Sequence, residues 1–231
     1  MTGPLALEMK TVSLALAGGE ILREISVALP AGEWGFLYGP PGAGKTMLLR
    51  LASGSLEPSS GSVARAGRAA LILHDHPMDD AAKALDIVAR AFGGSDAHGR
   101  AQALMEDLGL EAYLNHEPFR LSRGFRKRLA VAEAIASGAS LICLDDPFSP
   151  LDRVARARTA DVLRAAAEAG AAILMSSNDA SDGLRFGDRV LLLSAGPGAR
   201  IVESCENAPR PDAAPEELAA LPLRARIEAA L

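Results

Sequence analysis

Residues 34–53 read WGFLYGPPGAGKTMLLRLAS. WGFLY is a short apolar run that ends at a glycine, as a buried strand does, and from residue 46 the spacing becomes helical, with Gly54 placed as a C-terminal cap. Between the two lies GPPGAGKT, residues 39–46, which fits G-x-x-x-x-G-K-[ST] in the strand-to-helix setting where that pattern has a mechanical meaning. Glycines at 39, 42 and 44 let the backbone turn its N–H groups inward around a phosphate, and the helix that follows adds the positive end of its dipole. The cradle therefore comprises Gly39, Pro40, Pro41, Gly42, Ala43, Gly44, Lys45 and Thr46. Lys45 is placed to reach β- and γ-phosphates of a nucleotide such as ATP, and the Thr46 hydroxyl to bind Mg²⁺. By chance the bare pattern occurs in roughly one chain of this length in a hundred. An ordinary glycine-rich turn would leave the Lys-Thr pair without a reason.

A phosphate loop of this kind needs an acid to hold the metal, delivered from the end of a neighbouring strand. LICLDDPFSPLD, residues 141–152, supplies it: four apolar residues, then Asp145 as the metal ligand. Asp146, one residue on, is placed to orient or deprotonate a water attacking the γ-phosphate. The plainer alternative is that Asp146 caps the turn before Pro147.

Alternation of strand and helix extends along the whole chain. Strands are expected at 5–16, 21–30, 34–38, 69–73, 141–144, 171–176 and, as the last, 189–194. Helices are expected near 46–53, 81–92, 97–108 (capped by Ser95 or Asp96 and stopped by Gly109), 124–137 (stopped by Gly138) and 152–168. LEPSSGS at 56–62 reads as turn, and the Pro- and Ala-rich tail, 207–231, as ending in one helix over 215–230. Short apolar strands separated by helices indicate a parallel sheet covered on both faces. The fold class is thus α/β, a P-loop core with a mostly parallel sheet, an N-terminal antiparallel β portion and an α-helical insertion at about 78–136, the ATP-binding domain as a whole covering 1–206.

Composition narrows the function. The 231 residues carry a net charge of -5, so no overall positive field draws the chain to nucleic acid. Its two cysteines, Cys143 and Cys205, lack the spacing of a metal knuckle or redox pair; Cys143 reads as a small buried hydrophobe, and a cytosolic setting follows. No secretory leader opens MTGPLALEMK, and no run approaches the roughly 20 apolar residues of a membrane span. His98 and His116 read as solvated, His74 and His76 have no third metal ligand nearby, and Trp34, Phe36 and Tyr38 share one strand face as core packing.

The segment between the two nucleotide motifs, LSRGFRKRLAVAEAIASG at 121–138, is where a resemblance becomes specific. LSRGFRKR resembles the LSGGQ-type signature of ATP-binding cassette (ABC) transporter subunits, and SPLD at 149–152 resembles their D-loop. The order of motifs is the family's, and the likeness covers about residues 5–205. It implies a nucleotide-binding subunit that hydrolyses ATP with Mg²⁺, peripheral on the inner face of the cell membrane and docked on separate transmembrane permease subunits. It also implies a head-to-tail homodimer or heterodimer with a related ATP-binding subunit, each ATP held between the phosphate loop of one chain and Ser122 and Gly124 of the other. Arg126, Lys127 and Arg128 read more simply as a solvated basic helix face.

Several positions depart from the family pattern. The second acid is usually glutamate; Asp146 is a methylene shorter and holds its carboxylate about 1.5 Å farther from the water, a misplacement that costs on the order of a hundredfold. His74 stands at the Q-loop glutamine's place, Asn178 at that of the switch histidine, and Leu16 where an adenine-stacking aromatic is expected. Asn178 donates a hydrogen bond but takes up no proton at neutral pH. Arg123 and Phe125 alter the signature. Together these imply attenuated hydrolysis or one half of a heterodimer. The alternative is a non-hydrolysing or regulatory ATP-binding dimerisation module of the same superfamily; a small-molecule kinase would need an acceptor site that the sequence does not display.

Overall fold

The computed structural model describes residues 3–230. Its first elements are a hairpin, β1 (Leu5–Leu16) and β2 (Gly19–Pro30), followed by β3 (Trp34–Tyr38) and α1 (Lys45–Ser53). Along β1 the buried side chains Leu7, Met9, Val12 and Leu14 meet those of β2, Leu22, Ile25, Val27 and Leu29, which makes this small sheet one-sided. It has a third strand, β4 (Ser60–Arg65), antiparallel to β1 in the order β2-β1-β4. Residues 56–62 read as turn alone, and the correction has a plain cause: SGSVAR is an edge strand with no buried residue, so no hydrophobic alternation marks it.

The second sheet runs β5 (Ala69–Ile72), β6 (Leu141–Asp145), β7 (Ala172–Ser176), β3, β8 (Arg189–Leu193) and β9 (Ile201–Glu206) in spatial order, parallel except for β9. Strand β9 corrects the expectation that 189–194 is the last; IVESCE has no buried residue, alternating half-buried and exposed positions, and pairs antiparallel with β8 at the sheet's edge. Strand β3 lies between β7 and β8, with every residue buried, and its side chains divide between the faces. Trp34, Phe36 and Tyr38 stack along one face, with ring centroids 5.4 and 6.2 Å apart, while Leu37 joins the core on the other side beneath α1 and the antiparallel sheet. At ~25 cal/mol per Å² of apolar surface, those three rings alone contribute several kcal/mol to anchoring the strand that carries the phosphate loop.

The insertion between β5 and β6 comprises α2 (Ala84–Phe92), α3 (Ala97–Asp107) and α4 (Arg123–Ala136), packed around Ile87, Val88, Met105, Leu108 and Leu129 as a core of its own. Helix α5 (Arg153–Glu168) and the short α6 (Ala180–Phe186) cover the aromatic face of the large sheet. The tail forms two helices, α7 (Pro215–Ala219) and α8 (Pro222–Ala230), rather than one over 215–230. Pro222 opens the second and interrupts the first, since proline cannot donate within a helix. Leu218 and Ile227 are fully buried in the same core as α6 and β8. No helix among the described residues is long and apolar enough to cross a membrane.

Candidate functional site

Strands β6, β7 and β3 are neighbours, and their C-terminal ends deliver Asp145, Ser176 and the 39–46 loop to one edge of the sheet. Open α/β sheets bind ligands at this edge. Gly44 is the turning point of the loop: with φ 84 it takes the left-handed conformation, and a Cβ there would stand 2.9 Å from Leu22 Cδ2. Lys45 Nζ donates back to the carbonyls of Gly39 (2.5 Å) and Pro40 (3.3 Å), so the ammonium lies over the loop itself. Burial lowers its pKa, against the opposing pull of Asp145 and Asp146. Ala43 is buried and closes the turn by donating to Pro40 O at 3.1 Å.

The Thr46 hydroxyl donates to Asp145 Oδ2 at 2.7 Å, joining the first turn of α1 to the end of β6. Asp145 Oδ1 accepts from Ser176 Oγ, also at 2.7 Å. Ser176 Oγ in turn accepts the backbone N–H of Asp146 at 3.0 Å, and Asn178 Nδ2 donates to Asp146 Oδ2 at 3.1 Å. Asp146 has φ 44, a left-handed conformation that costs a residue with a side chain ~1–2 kcal/mol. Burial raises its carboxyl pKa, as does Asp145 next to it, while Lys127, Asn178 and His74 work in the opposite direction. A carboxyl tuned upward is a better proton acceptor than a fully solvated one. The hydroxyl of Thr46 and the carboxylate of Asp145 are hard oxygen donors side by side, the donor chemistry that suits Mg²⁺.

Lys127 corrects the reading of RKR as a solvated face. Its side chain is 5% exposed, and Nζ donates to Leu73 O (2.9 Å) and Asp145 O (3.0 Å), tying α4 to the ends of β5 and β6. Arg128 is buried too, donating to Leu108 O (2.6 Å) and Gly109 O (3.1 Å); of the three, Arg126 alone is half-exposed. A helical run of three cations carries no sign in the sequence of which will turn inward. Ser176 was also missed, although it is the one polar end of an apolar strand in register with Asp145.

The signature segment sits at the start of α4. Ser122 is the N-cap, its Oγ accepting from Phe125 N at 3.5 Å. A Cβ on Gly124 would stand 3.0 Å from Pro150 O, so a side chain here presses on the 149–152 loop. Asp152 ends that loop as the cap of α5, accepting from Ala155 N at 2.8 Å. His74 Nε2 pairs with Arg123 Nη2 at 2.7 Å, on a cavity of about 460 Å³ that Met78, Leu121, Arg126 and Lys127 also line, and its charge is felt by Asp146. Beside the phosphate loop a cavity of about 370 Å³ is lined by 18–21, Pro41, Gly42, Gly196 and Pro197, with no aromatic ring; Leu16, at the end of β1, is 47% exposed. Among the described residues no cluster of His, Cys, Asp and Glu forms a separate metal site.

The family description "ABC transporter" matches residues 22–149, the span from β2 through the acidic strand. The chain belongs to the ABC transporter family. Among curated relatives, the aliphatic sulfonates import ATP-binding protein SsuB 2 of Pseudomonas syringae pv. tomato is 33% identical over 190 residues, covering 80% of each chain. The cytochrome c biogenesis ATP-binding export protein CcmA of Sphingopyxis alaskensis is 37% identical over 178 residues, 73% of this chain and 91% of that one. The Fe(3+) ions import ATP-binding protein FbpC 2 of Rhodococcus jostii is 34% identical, and this chain covers 62% of its length. The same ABC fold appears in the solved structure of an ATP-binding subunit of an ABC transporter, with a TM-score of 0.79 at 22% identity over 93% of this chain and 98% of that one. A dimeric ATP-binding cassette with ADP and Pi superposes with a TM-score of 0.77 at 20% identity, over 87% and 99% of the two chains. As an ABC ATP-binding subunit, the chain carries the phosphate loop, the start of α4 and the acidic strand in the family's order along the sequence.

Proposed function

We propose that this ABC subunit binds Mg²⁺-ATP at residues 39–46, closes with a second chain over the nucleotide, and uses slowed hydrolysis to drive separate permease subunits from the inner membrane face. The observation that carries this reading is the 2.7 Å link from Thr46 Oγ1 to Asp145 Oδ2, which sets the hydroxyl of the phosphate loop against the acid at the end of β6, one strand beyond β3's neighbour β7. When bound there, Mg²⁺ supplies charge neutralisation for the β- and γ-phosphate oxygens. The protein's own contribution is electrostatic and positional. Lys45 exchanges its loop carbonyls for phosphate oxygens, the helix α1 N-terminus faces the same charge, and Asp146 accepts the proton of the attacking water. Asn178 holds the Asp146 carboxylate in place and offers an amide hydrogen to the γ-phosphate.

Ser122 and Gly124 serve the nucleotide of the facing chain. One phosphate loop accounts for one triphosphate, and a head-to-tail pair with two-fold symmetry satisfies both loops and both signatures at once. Whether that partner is an identical copy or a sister subunit changes which chain contributes the better acid, not this geometry. Transport work then comes from the different affinity of nucleotide for closed and open pairs.

A second reading, a binding module that turns over negligibly, is favoured by one observation: the short Asp146 side chain is tied to Asn178. Steady-state ATP hydrolysis by the purified chain and by Asp146→Glu separates the two. Slow turnover that rises about tenfold or more on lengthening the acid is the expected result. No turnover in either protein would favour the binding module.

A further inference from the structure

The strand between the phosphate loop and the acids ends in a hydroxyl. Ser176 is the last residue of β7, with Leu37 opposite it on one side and Asp145 on the other, so it stands midway between the loop-bearing strand and the acid-bearing strand. Its side chain is 1% exposed in an otherwise apolar strand, and a buried hydroxyl persists there only with its hydrogen bonds made. Both are made to the two acids. The hydroxyl hydrogen goes to Asp145 Oδ1 at 2.7 Å, and an oxygen lone pair takes the Asp146 N–H at 3.0 Å.

We propose that Ser176 is a positioning residue for the hydrolysis site, a single hydroxyl that aims the Asp145 carboxylate at the metal and holds Asp146 in its left-handed backbone conformation. The inference rests on the reading of Asp145 and Asp146 given above. With Oδ1 committed to Ser176 and Oδ2 to Thr46, the carboxylate plane of Asp145 is fixed at both oxygens. The same bond that fixes Oδ1 orients the Ser176 oxygen toward the Asp146 N–H, so metal ligand and proton acceptor are set together. Removing the hydroxyl frees one carboxylate oxygen and strands a partly buried N–H on the residue whose φ is 44. Partners of metal ligands at one remove commonly change metal affinity or activity by about 10–100-fold.

The test uses the full chain with Ser176→Ala, Ser176→Thr, which keeps the hydroxyl on a strand-compatible side chain, and Ser176→Cys, nearly isosteric but a poor donor. Two quantities are read: Mn²⁺ affinity of the ATP-loaded protein by electron paramagnetic resonance, and ATP affinity without metal. In Ser176→Ala and Ser176→Cys, Mn²⁺ affinity is expected to fall by about tenfold or more, metal-free ATP affinity to stay within about twofold, and Ser176→Thr to recover the metal. Unchanged Mn²⁺ affinity in both variants, or an equal loss of metal-free ATP binding, would overturn the proposal. Should the unaltered chain bind ATP no more tightly with Mn²⁺ than without, the metal reading of Asp145 fails first and Ser176 falls with it.

Discussion

Asp182 is 3% exposed at its side chain, yet it is a carboxyl. Ser177 Oγ donates to it at 2.6 Å and Arg156 Nη1 at 2.9 Å, and Arg156 also reaches Asp179, so the group joins α5, α6 and the loop that carries Asn178. Burial outweighs these partners and pushes its pKa from 3.8 to about 6. Because the folded chain holds this proton more tightly than the unfolded one, the stabilisation from Asp182 is complete below 3.8 and is lost as pH rises through about 6, a difference on the order of 3 kcal/mol. Asp182→Asn lacks that titration. Compared with the variant, the unaltered chain should therefore gain stability between about pH 6 and pH 4, read from urea midpoints at the two pH values. The opposite trend would show that the Arg156 pair keeps Asp182 ionised throughout. At this scale the sequence discloses Lys45, Thr46 and Asp145, whose roles follow from a motif and a strand end. It does not disclose Ser176, Lys127 or Asp182, because their importance lies in which atoms they meet after folding.

Helix α4 is wired to the acids at two points. Its N-terminus meets the 149–152 loop at Gly124, and one turn on Lys127 bonds the last carbonyl of the acidic strand. Lys127 draws the Asp146 pKa down, against burial and Asp145, which raise it. Lys127→Met keeps the volume and removes the cation, so Asp146 should protonate at higher pH and the acid limb of the hydrolysis profile should move upward. The expected sign is an acid limb displaced to higher pH in the variant than in the unaltered chain; superimposable profiles would separate Lys127 from the site. Helices were legible where the apolar spacing was long, as in α4 and α5. Strands β4 and β9 were not, since edge strands bury one face at most and their pairing comes from partners distant in sequence. The break in the tail at Pro222 was written in the sequence but outweighed by the Ala-rich run around it.

Across the whole molecule, three cores meet at one edge: the aromatic face of the large sheet, its opposite face with α1 and the antiparallel strands, and the helical insertion. The phosphate loop belongs to the second through Ala43, Lys127 and the signature to the helix joining the first and third, and the two acids stand at the end of β6, whose faces border the first and second. The class of fold was legible because β3 and the loop after it fix where a parallel sheet must open. Position of the tail was not, because Leu218, Leu221, Leu223 and Ile227 stand in an Ala- and Pro-rich run that carries no sign of which part of the sheet they will cover. Calorimetric titration of the full chain and of Lys45→Ala with Mg²⁺-ATP tests the central claim most directly. Binding that weakens by about a hundredfold or more when the ammonium is removed is the expected result, and equal affinity in the two proteins would contradict it.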